Sequence, residues 1–481
     1  MNIFNFREVQ WGPDEAKGDE NLDKYFVTIP EFEAIKRGEY RYIIGRKGTG
    51  KTAIIEKIKL DSKKNPLSFY SALSLRNFPL NSFRALRDKS FRDKSQYTPI
   101  WLFLIYIEIC KMILEDNGAG PVDLINELKT FLLTNHFLQG KGFVDTVSIL
   151  KNCQAKIKVL SKWLGGNLNI SKQSQAMVTI HYQNVIEHLE KKILSIYSDS
   201  IYWLFIDELD EGYRADDKGL RLILLSLFRA TEDAVLNLKN SNLNFRPILV
   251  LRSDIFDSLE DNDLNKLDDY TLRLRWISHI DHTDYSLKSI PNARIKFSIP
   301  TLSEYNDPWR YVVKDDDVTS LYNVKSLWSF MANRTYERPR DIIKFLKYCR
   351  KFVDKGQLTL EHVKKAEDNY SNWLYNELRD EIHSYLPIWK NALQVLTKIG
   401  KGKLTITEYK RLAERDKKIL QWLKDHNKSI EEILEILFDF GVIGNLDDKR
   451  WIFKYKDHDL PFDEHMEIIV HFGLKKKLRI K

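Results

Sequence analysis

One stretch limits the possible folds more than any other: YRYIIGRKGTGKTAIIEKI, residues 40–58. A short apolar run, a Gly-rich loop and an apolar-periodic segment follow one another, which predicts a strand, a tight turn and a helix. A strand handed straight to a helix is the repeating unit of an α/β sheet. Within the loop, Gly45-Arg46-Lys47-Gly48-Thr49-Gly50-Lys51-Thr52 fills every fixed position of G-x-x-x-x-G-K-[ST]. Each residue type has a physical task there. Glycines let backbone N–H groups turn inward around phosphate oxygens, and the helix N-terminus adds a partial positive charge. Lys51 is placed to reach the outer phosphates and Thr52 to ligate Mg2+. The expected nucleotide-binding set is Gly45, Arg46, Lys47, Gly48, Thr49, Gly50, Lys51, Thr52 and Ala53. A plain Gly-rich turn with an exposed lysine would not require every fixed position to be filled.

Such a loop needs a carboxylate from a second strand to complete its metal site. IYWLFIDELD (201–210) opens as a continuous apolar run, suited to a strand buried on both faces of a parallel sheet, and ends in acids. Asp207 is the candidate to hold Mg2+ through water, and Glu208 the candidate general base for the attacking water. Two adjacent acids point to hydrolysis rather than storage of nucleotide. A Glu-Asp turn closing a core strand is the ordinary alternative. ATP is expected over GTP: Asn265-Lys266-Leu267-Asp268 spells N-K-x-D, but that motif should close an apolar strand, and LEDNDLNKLDD is polar throughout. Nor does D-x-x-G follow Asp207. Arg252 and Ser253 end the apolar strand RPILVLRSD (246–254), expected beside the Asp207 strand, where a polar side chain can feel a γ-phosphate. Arg340, in RPRDII, opens a later helix and could fold over the phosphates. For both arginines a surface ion pair is the bland reading.

Along the chain, the first twenty residues read as an arm, and KYFVTIPEFEAIKRGEY as a short strand, a turn at Pro30 and a helix. PLSFYSALS (66–74) suits a second strand. Residues 98–196 are expected to be mostly helical, including DTVSILKNCQAKIKVLSKWL, with a polar loop at 165–175. A helix over 219–239 separates the strand around 201–210 from that at 246–254, and YTLRLRW (270–276) alternates as a strand should. Strands alternating with helices imply a parallel sheet covered on both faces. After about 277 the strand signal fades into helices with a turn at Pro339. FGVIGNLDDKRWIFKYKD (440–457) then reads as a hairpin, so that the end of the chain suggests a winged helix. The expected domains are a core over 1–276 with a helical insertion at 98–196, a helical lid over 277–369, and a winged-helix-like domain over 370–481.

The composition is 43% hydrophobic and 30% charged, which supplies ample material for packed cores. A net charge of +8 permits nucleic-acid contact without arguing for it. Cys110, Cys153 and Cys349 lie far apart, which favours buried free thiols over a zinc site or disulfides. The polar opening MNIFNFREVQWGPDEAKGDE lacks the pattern of a signal peptide. TPIWLFLIYIEICKMIL (98–114) is short and carries Glu108 and Lys111, so it reads as a core helix rather than a membrane span. A cytoplasmic protein without membrane contact is expected.

Together these residues resemble the AAA+/STAND class of P-loop ATPases, and more narrowly a bacterial family carrying GRKGTGKTA, IDELDEG, LRSDIFD and RPRDII in this order. The resemblance covers nearly the whole chain. It implies a P-loop NTPase fold, with Lys51 and Thr52 as the Walker A pair and Asp207 and Glu208 as the Walker B pair. Ser253 or Arg252 would correspond to sensor 1, and Arg340 to the sensor 2 arginine of the lid. Related ATPases occur in bacterial anti-phage systems, which implies an effector or regulatory protein as partner, encoded nearby. The long stretch between the Walker motifs is then a helical insertion, a place for partner contacts. A homo-oligomer is compatible with the class, although no trans-acting arginine finger can be assigned.

Other features carry less. His279 and His282 in HIDHTD lack further metal ligands nearby and read as surface histidines. The tail GLKKKLRIK reads as a solvated helix end. The segment SIEEILEILFDF (429–440), where a recognition helix would stand, is acidic, and phosphate contacts need Lys and Arg. Protein contact is therefore favoured over DNA. No nuclease cluster and no Ser/His/Asp arrangement is found. The leading expectation is an ATP-hydrolysing switch that controls a partner. The alternative is a DNA-binding initiator or regulator that uses ATP to set its shape, and a P-loop kinase is a third.

Overall fold

The computed structural model describes residues 4–76, 78–87, 95–139, 143–164, 177–209, 213–214, 217–259, 261–276, 286–314, 324, 326–448, 450–457 and 459–481. The chain divides into two compact units. The sheet unit is Glu31–Lys47 with Ile54–Leu274; the C-terminal unit is Met1–Pro30, Gly48–Ala53 and Arg275–Lys481. The opening arm thus groups with the C-terminal unit, not with the sheet whose sequence it precedes. The expected strand over 24–29 is absent: a short helix, Leu22–Tyr25, buries Leu22 and Tyr25 there instead.

Strands of the sheet unit are, in chain order, β1 (Tyr42–Ile44), β2 (Ser68–Ser74), β3 (Lys156–Leu160), β4 (Met177–His181), β5 (Tyr197–Asp207), β6 (Asn242–Leu251) and β7 (Thr271–Arg273). The expected parallel sheet is present, in the order β2-β5-β6-β1-β7. Tyr42, Ile43, Ile44, the Tyr202-to-Ile206 run and the Ile248-to-Leu251 run are all buried. That burial on both faces is why these strands read as continuous apolar runs rather than alternating ones. The register pairs Ser74 with Asp207, Ile206 with Leu249 and Ile44 with Leu251, so β2, β5, β6 and β1 end along one edge. From β1 the chain crosses to the β2 side; from β6 it passes β1 in the other direction to reach β7. Neighbouring strands whose connections diverge open a crevice at their carboxyl ends.

The apolar segment at 98–114 forms the core helix Thr98–Glu115. Its one buried carboxylate, Glu108, accepts hydrogen bonds from Ser71 Oγ at 2.7 Å and Lys111 Nζ at 2.8 Å, which makes the charge tolerable there. No helix among the described residues is long and apolar enough to cross a membrane. Within the region expected to be mostly helical, β3 and β4 pair as an antiparallel ribbon. The reason is local: Lys156 and Lys158 are exposed while Ile157 and Val159 are buried, a period of two that the flanking helical periodicity masked. The helix Phe143–Asn152 stops just before it.

In the C-terminal unit, the helices Ser289–Ser298, Leu327–Ala332, Pro339–Arg350 and Leu360–Ile382 come first. The last of these runs straight through position 370, where a domain boundary was expected. Val363, Ala366, Tyr370, Leu374, Leu378 and Ile382 are buried at three- and four-residue spacings, so the helix has no reason to end there. Beyond it lie the helices Trp389–Ile399, Ile406–Ala413, Lys417–His426, Ile430–Asp439 and Phe472–Leu478. The strands β8 (Lys403–Leu404), β9 (Ile443–Asp447), β10 (Arg450–Ile452) and β11 (Glu467–Val470) form an antiparallel sheet in the order β10-β9-β11-β8. Its β9–β10 hairpin is the one expected within 440–457. Among the cysteines, Cys110 and Cys349 are buried, but Cys153 is exposed, against the expectation for it.

Candidate nucleotide-binding site

In the sheet unit, the loop after β1 is fastened to the end of β6. Gly45 N–H donates to the Leu251 carbonyl at 3.2 Å, and the Gly45 carbonyl accepts from Ser253 N–H at 3.3 Å. Ser253, 7% exposed, therefore sits where the phosphate motif begins, and β5 runs alongside β6 as expected. Arg252 is engaged elsewhere: its Nε and Nη2 donate to the two carboxylate oxygens of Asp254 at 3.0 and 2.7 Å. The pair is not a surface one, since the Arg252 side chain is 11% exposed. Arg46 and Lys47 follow Gly45, both half-buried.

The acidic pair closes β5 at the same edge. Asp207 Oδ1 accepts the backbone N–H of Glu208 at 2.7 Å, and Glu208 adopts a left-handed backbone with φ of 60°. An L-residue other than Gly, Asn or Asp rarely sits there. The Glu208 carboxylate is held by a hydrogen bond from Ser74 Oγ, and Ser74 is the residue in register with Asp207. Sequence reasoning missed Ser74; the available signal was a strand ending in Ser at the level of the acids. Asp210, Glu211 and Gly212 of the same motif lie outside the described residues, as do His279 and His282. Asn265 to Asp268 fall in a 3-10 segment before β7 rather than at the end of a strand.

In the C-terminal unit, Gly48 and Gly50 have φ of 85° and 103°. A Cβ added to Gly50 would meet nothing within 4 Å, so glycine is needed there for backbone conformation rather than for space. Gly48, Gly50, Lys51, Thr52 and Ala53 line a cavity of about 120 Å³. Pro13, Asp14, Glu15, Ala16, Asp19, Leu22, Arg294, Pro339, Arg340 and Ile343 complete its wall. Lys51 and Thr52 open the helix Lys51–Ser62, whose first N–H groups have no intrahelical acceptors. The buried Thr49 is anchored through its carbonyl, which accepts from Trp276 Nε1 at 2.8 Å.

Arg340 is built onto this loop. Pro339 occupies the first turn of Pro339–Arg350, where its missing N–H costs nothing, and Arg340 N–H donates to the Gly48 carbonyl at 3.3 Å. A Cβ on Gly48 would stand 3.0 Å from Arg340 Cβ. The guanidinium lies 3.8 Å from Glu15 Oε1 and 3.6 Å from Glu377 Oε2. One and two turns along the helix, Lys344 and Lys347 each bond Asp14 at 2.5 Å. Burial pushes the Asp14 carboxyl up, but the two lysines outweigh it and hold it below the usual range. Arg294 donates to the Trp11 carbonyl at 3.1 Å beneath Tyr25, and burial pushes it down to about 10. Trp276, Asp14, Glu15, Arg294 and Glu377 were not legible as site residues, because only long-range folding brings them to the loop.

The residues present fit a phosphate group: left-handed glycines, a lysine and a helix start share one cavity. Among the described residues no group of three or more His, Cys, Asp or Glu could hold a metal by itself. A Mg2+ ion characteristically draws on one or two protein oxygens and on phosphates.

A family profile described as a FunZ-associated C-terminal helical domain matches residues 285–379. The matched stretch takes in Arg340, the helix Pro339–Arg350 and most of Leu360–Ile382. No curated protein sequence matches the chain.

Proposed function

We propose that the chain is a Mg2+-dependent ATPase of the P-loop type whose nucleotide state controls a partner protein. One observation carries the reading: Gly48, Gly50, Lys51, Thr52 and Ala53 line a single cavity together with Arg340. In this reading the amides of residues 45–52 and the Lys51 ammonium hold the phosphates. Thr52 and Asp207 would supply protein oxygens for Mg2+, as the two motifs imply, and the ion would neutralise charge on the transferred phosphoryl group. Glu208 orients the attacking water and takes its proton. Ser253 senses the terminal phosphate ahead of Arg252, whose guanidinium is committed to Asp254. Arg340 reports that phosphate to the helical segment behind it.

Three further features support the reading. The sheet order opens its crevice at the ends of β1 and β6, beside Gly45 and Ser253. The strained Glu208 backbone is of the kind that gathers at working sites. The helices and the β8–β11 sheet after Trp389 follow the order of a winged-helix-like domain. The resemblance to ATPases of anti-phage systems is the ground for proposing a cytoplasmic role beside a partner in defence, and the FunZ-associated match at 285–379 fits it loosely. DNA binding is the weaker alternative, since Ile430–Asp439 carries Glu431, Glu432, Glu435 and Asp439 and no cation.

Phosphate release from ATP with Mg2+ tests the reading. Lys51→Ala should abolish nucleotide binding, and Glu208→Gln should keep binding while turnover falls about 10²–10⁴-fold. Wild-type turnover in both variants would show the assignment to be wrong. Proteins that co-purify with Glu208→Gln in ATP, and not with Lys51→Ala, identify the partner.

A further inference from the structure

The N-terminal arm is anchored by buried aromatic residues at two places. On one side Trp11 is 2% exposed, packs at a tilt against Phe6 and gives its carbonyl to Arg294. On the other, Asp19 accepts a hydrogen bond from Tyr25, which is 3% exposed and packs on Phe297. Between these anchors, Gly12 and Gly18 both have left-handed backbones, with φ of 69° and 79°. Residues 13–17 therefore form a short segment with a glycine at each end. A Cβ at Gly18 would meet nothing within 4 Å, so that glycine provides conformational freedom and not clearance.

This segment forms part of the wall of the phosphate-loop cavity, and it carries acid. Pro13, Asp14, Glu15 and Ala16 all line the space. Asp14 and Glu15 are fastened to Lys347, Lys344 and Arg340, which lie along one stripe of the helix Pro339–Arg350. Two consequences follow. The cavity measures about 120 Å³, less than half the roughly 300 Å³ at the lower end for small-molecule sites. A cavity of that volume falls short of what a whole nucleotide fills. In addition, the carboxylates present negative charge to the space that a triphosphate would enter, and Glu15 and Glu377 compete with it for Arg340.

We propose that residues 13–17 are a hinged acidic flap over the nucleotide cavity, latched by Asp14 and Glu15 on Arg340, Lys344 and Lys347, and displaced when a triphosphate takes Arg340. The proposal rests on the reading of this cavity as a nucleotide site. In the latched state, carboxylates occupy the cations that would otherwise answer to phosphate. Opening exchanges the Glu15 pairing of Arg340 for a phosphate pairing, frees Asp14 from the lysines, and turns nucleotide binding into a movement of the arm. Asp14, Glu15 and Glu377 are positioning residues for Arg340 in this scheme.

The lysines provide a test whose sign is decisive. If Lys344 and Lys347 serve to attract nucleotide, K344Q/K347Q should weaken binding of a fluorescent ATP analogue with Mg2+. If they serve as the latch, the same variant should tighten it, by about 3- to 10-fold, or up to about 1.4 kcal/mol. D14N/E15Q should tighten it similarly, and combining the two pairs should add little, because both break the same latch. Hydrogen exchange at residues 13–17 should accelerate in each variant and, for wild type, on adding nucleotide. Unchanged or weakened binding in K344Q/K347Q, with Lys51-dependent binding intact in wild type, overturns the flap alone. No binding to wild type overturns the nucleotide reading and the flap with it.

Discussion

Arg338 and Arg340 stand two residues apart on either side of Pro339, and their surroundings differ in every respect that matters. Arg338 is 2% exposed and bonds Asp341 at 3.0 Å and Glu381 at 2.7 Å, both of them buried. Burial alone would lower its pKa, but the two carboxylates outweigh that and hold the guanidinium firmly charged. Arg340 meets its carboxylates only at 3.6 and 3.8 Å, longer than a charge-assisted hydrogen bond, and lines a cavity. One arginine is closed in by short, dry, two-sided pairing. The other keeps longer pairs, at 3.6 and 3.8 Å, on the wall of a cavity. The lesson is that within a single RPRD run, burial and bond length separate an arginine that holds the fold from one that is free to change partner.

The sharpest way to break this contrast is Arg338→Met. It leaves Asp341 and Glu381 buried without their cation, and removal of one partner from such a cluster costs about 3–5 kcal/mol. Urea unfolding should show a loss of that order. Arg340→Ala should do the reverse: a stability change below about 1 kcal/mol, as for exposed pairs, with ATP turnover down about 10²-fold. Equal stability losses in the two variants would erase the distinction. Gly48→Ala tests the seat of Arg340, because it forces an L-residue into a left-handed backbone 3.0 Å from Arg340 Cβ. A loss of about 1–2 kcal/mol in thermal unfolding is expected, with weaker nucleotide binding. Ser74→Ala carries the comparison to the other unit at the smallest scale. Removing the hydroxyl that holds Glu208 should cost about 1 kcal/mol. Turnover should fall several-fold while nucleotide affinity stays put.

What could be read from the sequence was local. The strand, loop and helix around Gly45 to Thr52, the apolar runs of β5 and β6, and the core helix Thr98–Glu115 each announce themselves within one short continuous stretch. Trp276 bonding the Thr49 carbonyl, or Asp14 reaching Lys344, joins residues more than two hundred positions apart, and no periodicity encodes that. The β3–β4 ribbon was lost for a different reason. Its five-residue strands lie between helices whose stronger pattern a long window follows. Position 370 falls inside the helix Leu360–Ile382, and the change of pattern further along the chain gives no sign of where that helix starts.

The make-up of the C-terminal unit sets an order for synthesis. Residues 1–30 and the short piece Gly48–Ala53 are made before the sheet unit is complete, but the bulk of the unit begins at Arg275. The sheet unit, by contrast, is contiguous from Glu31 to Leu274 but for the six residues Gly48–Ala53. A nascent chain can therefore collapse around the parallel sheet while residues 1–30 still wait for their packing partners. The turn Gly48–Ala53 takes its final surroundings last, because they are complete only once residues beyond Arg275 have been made.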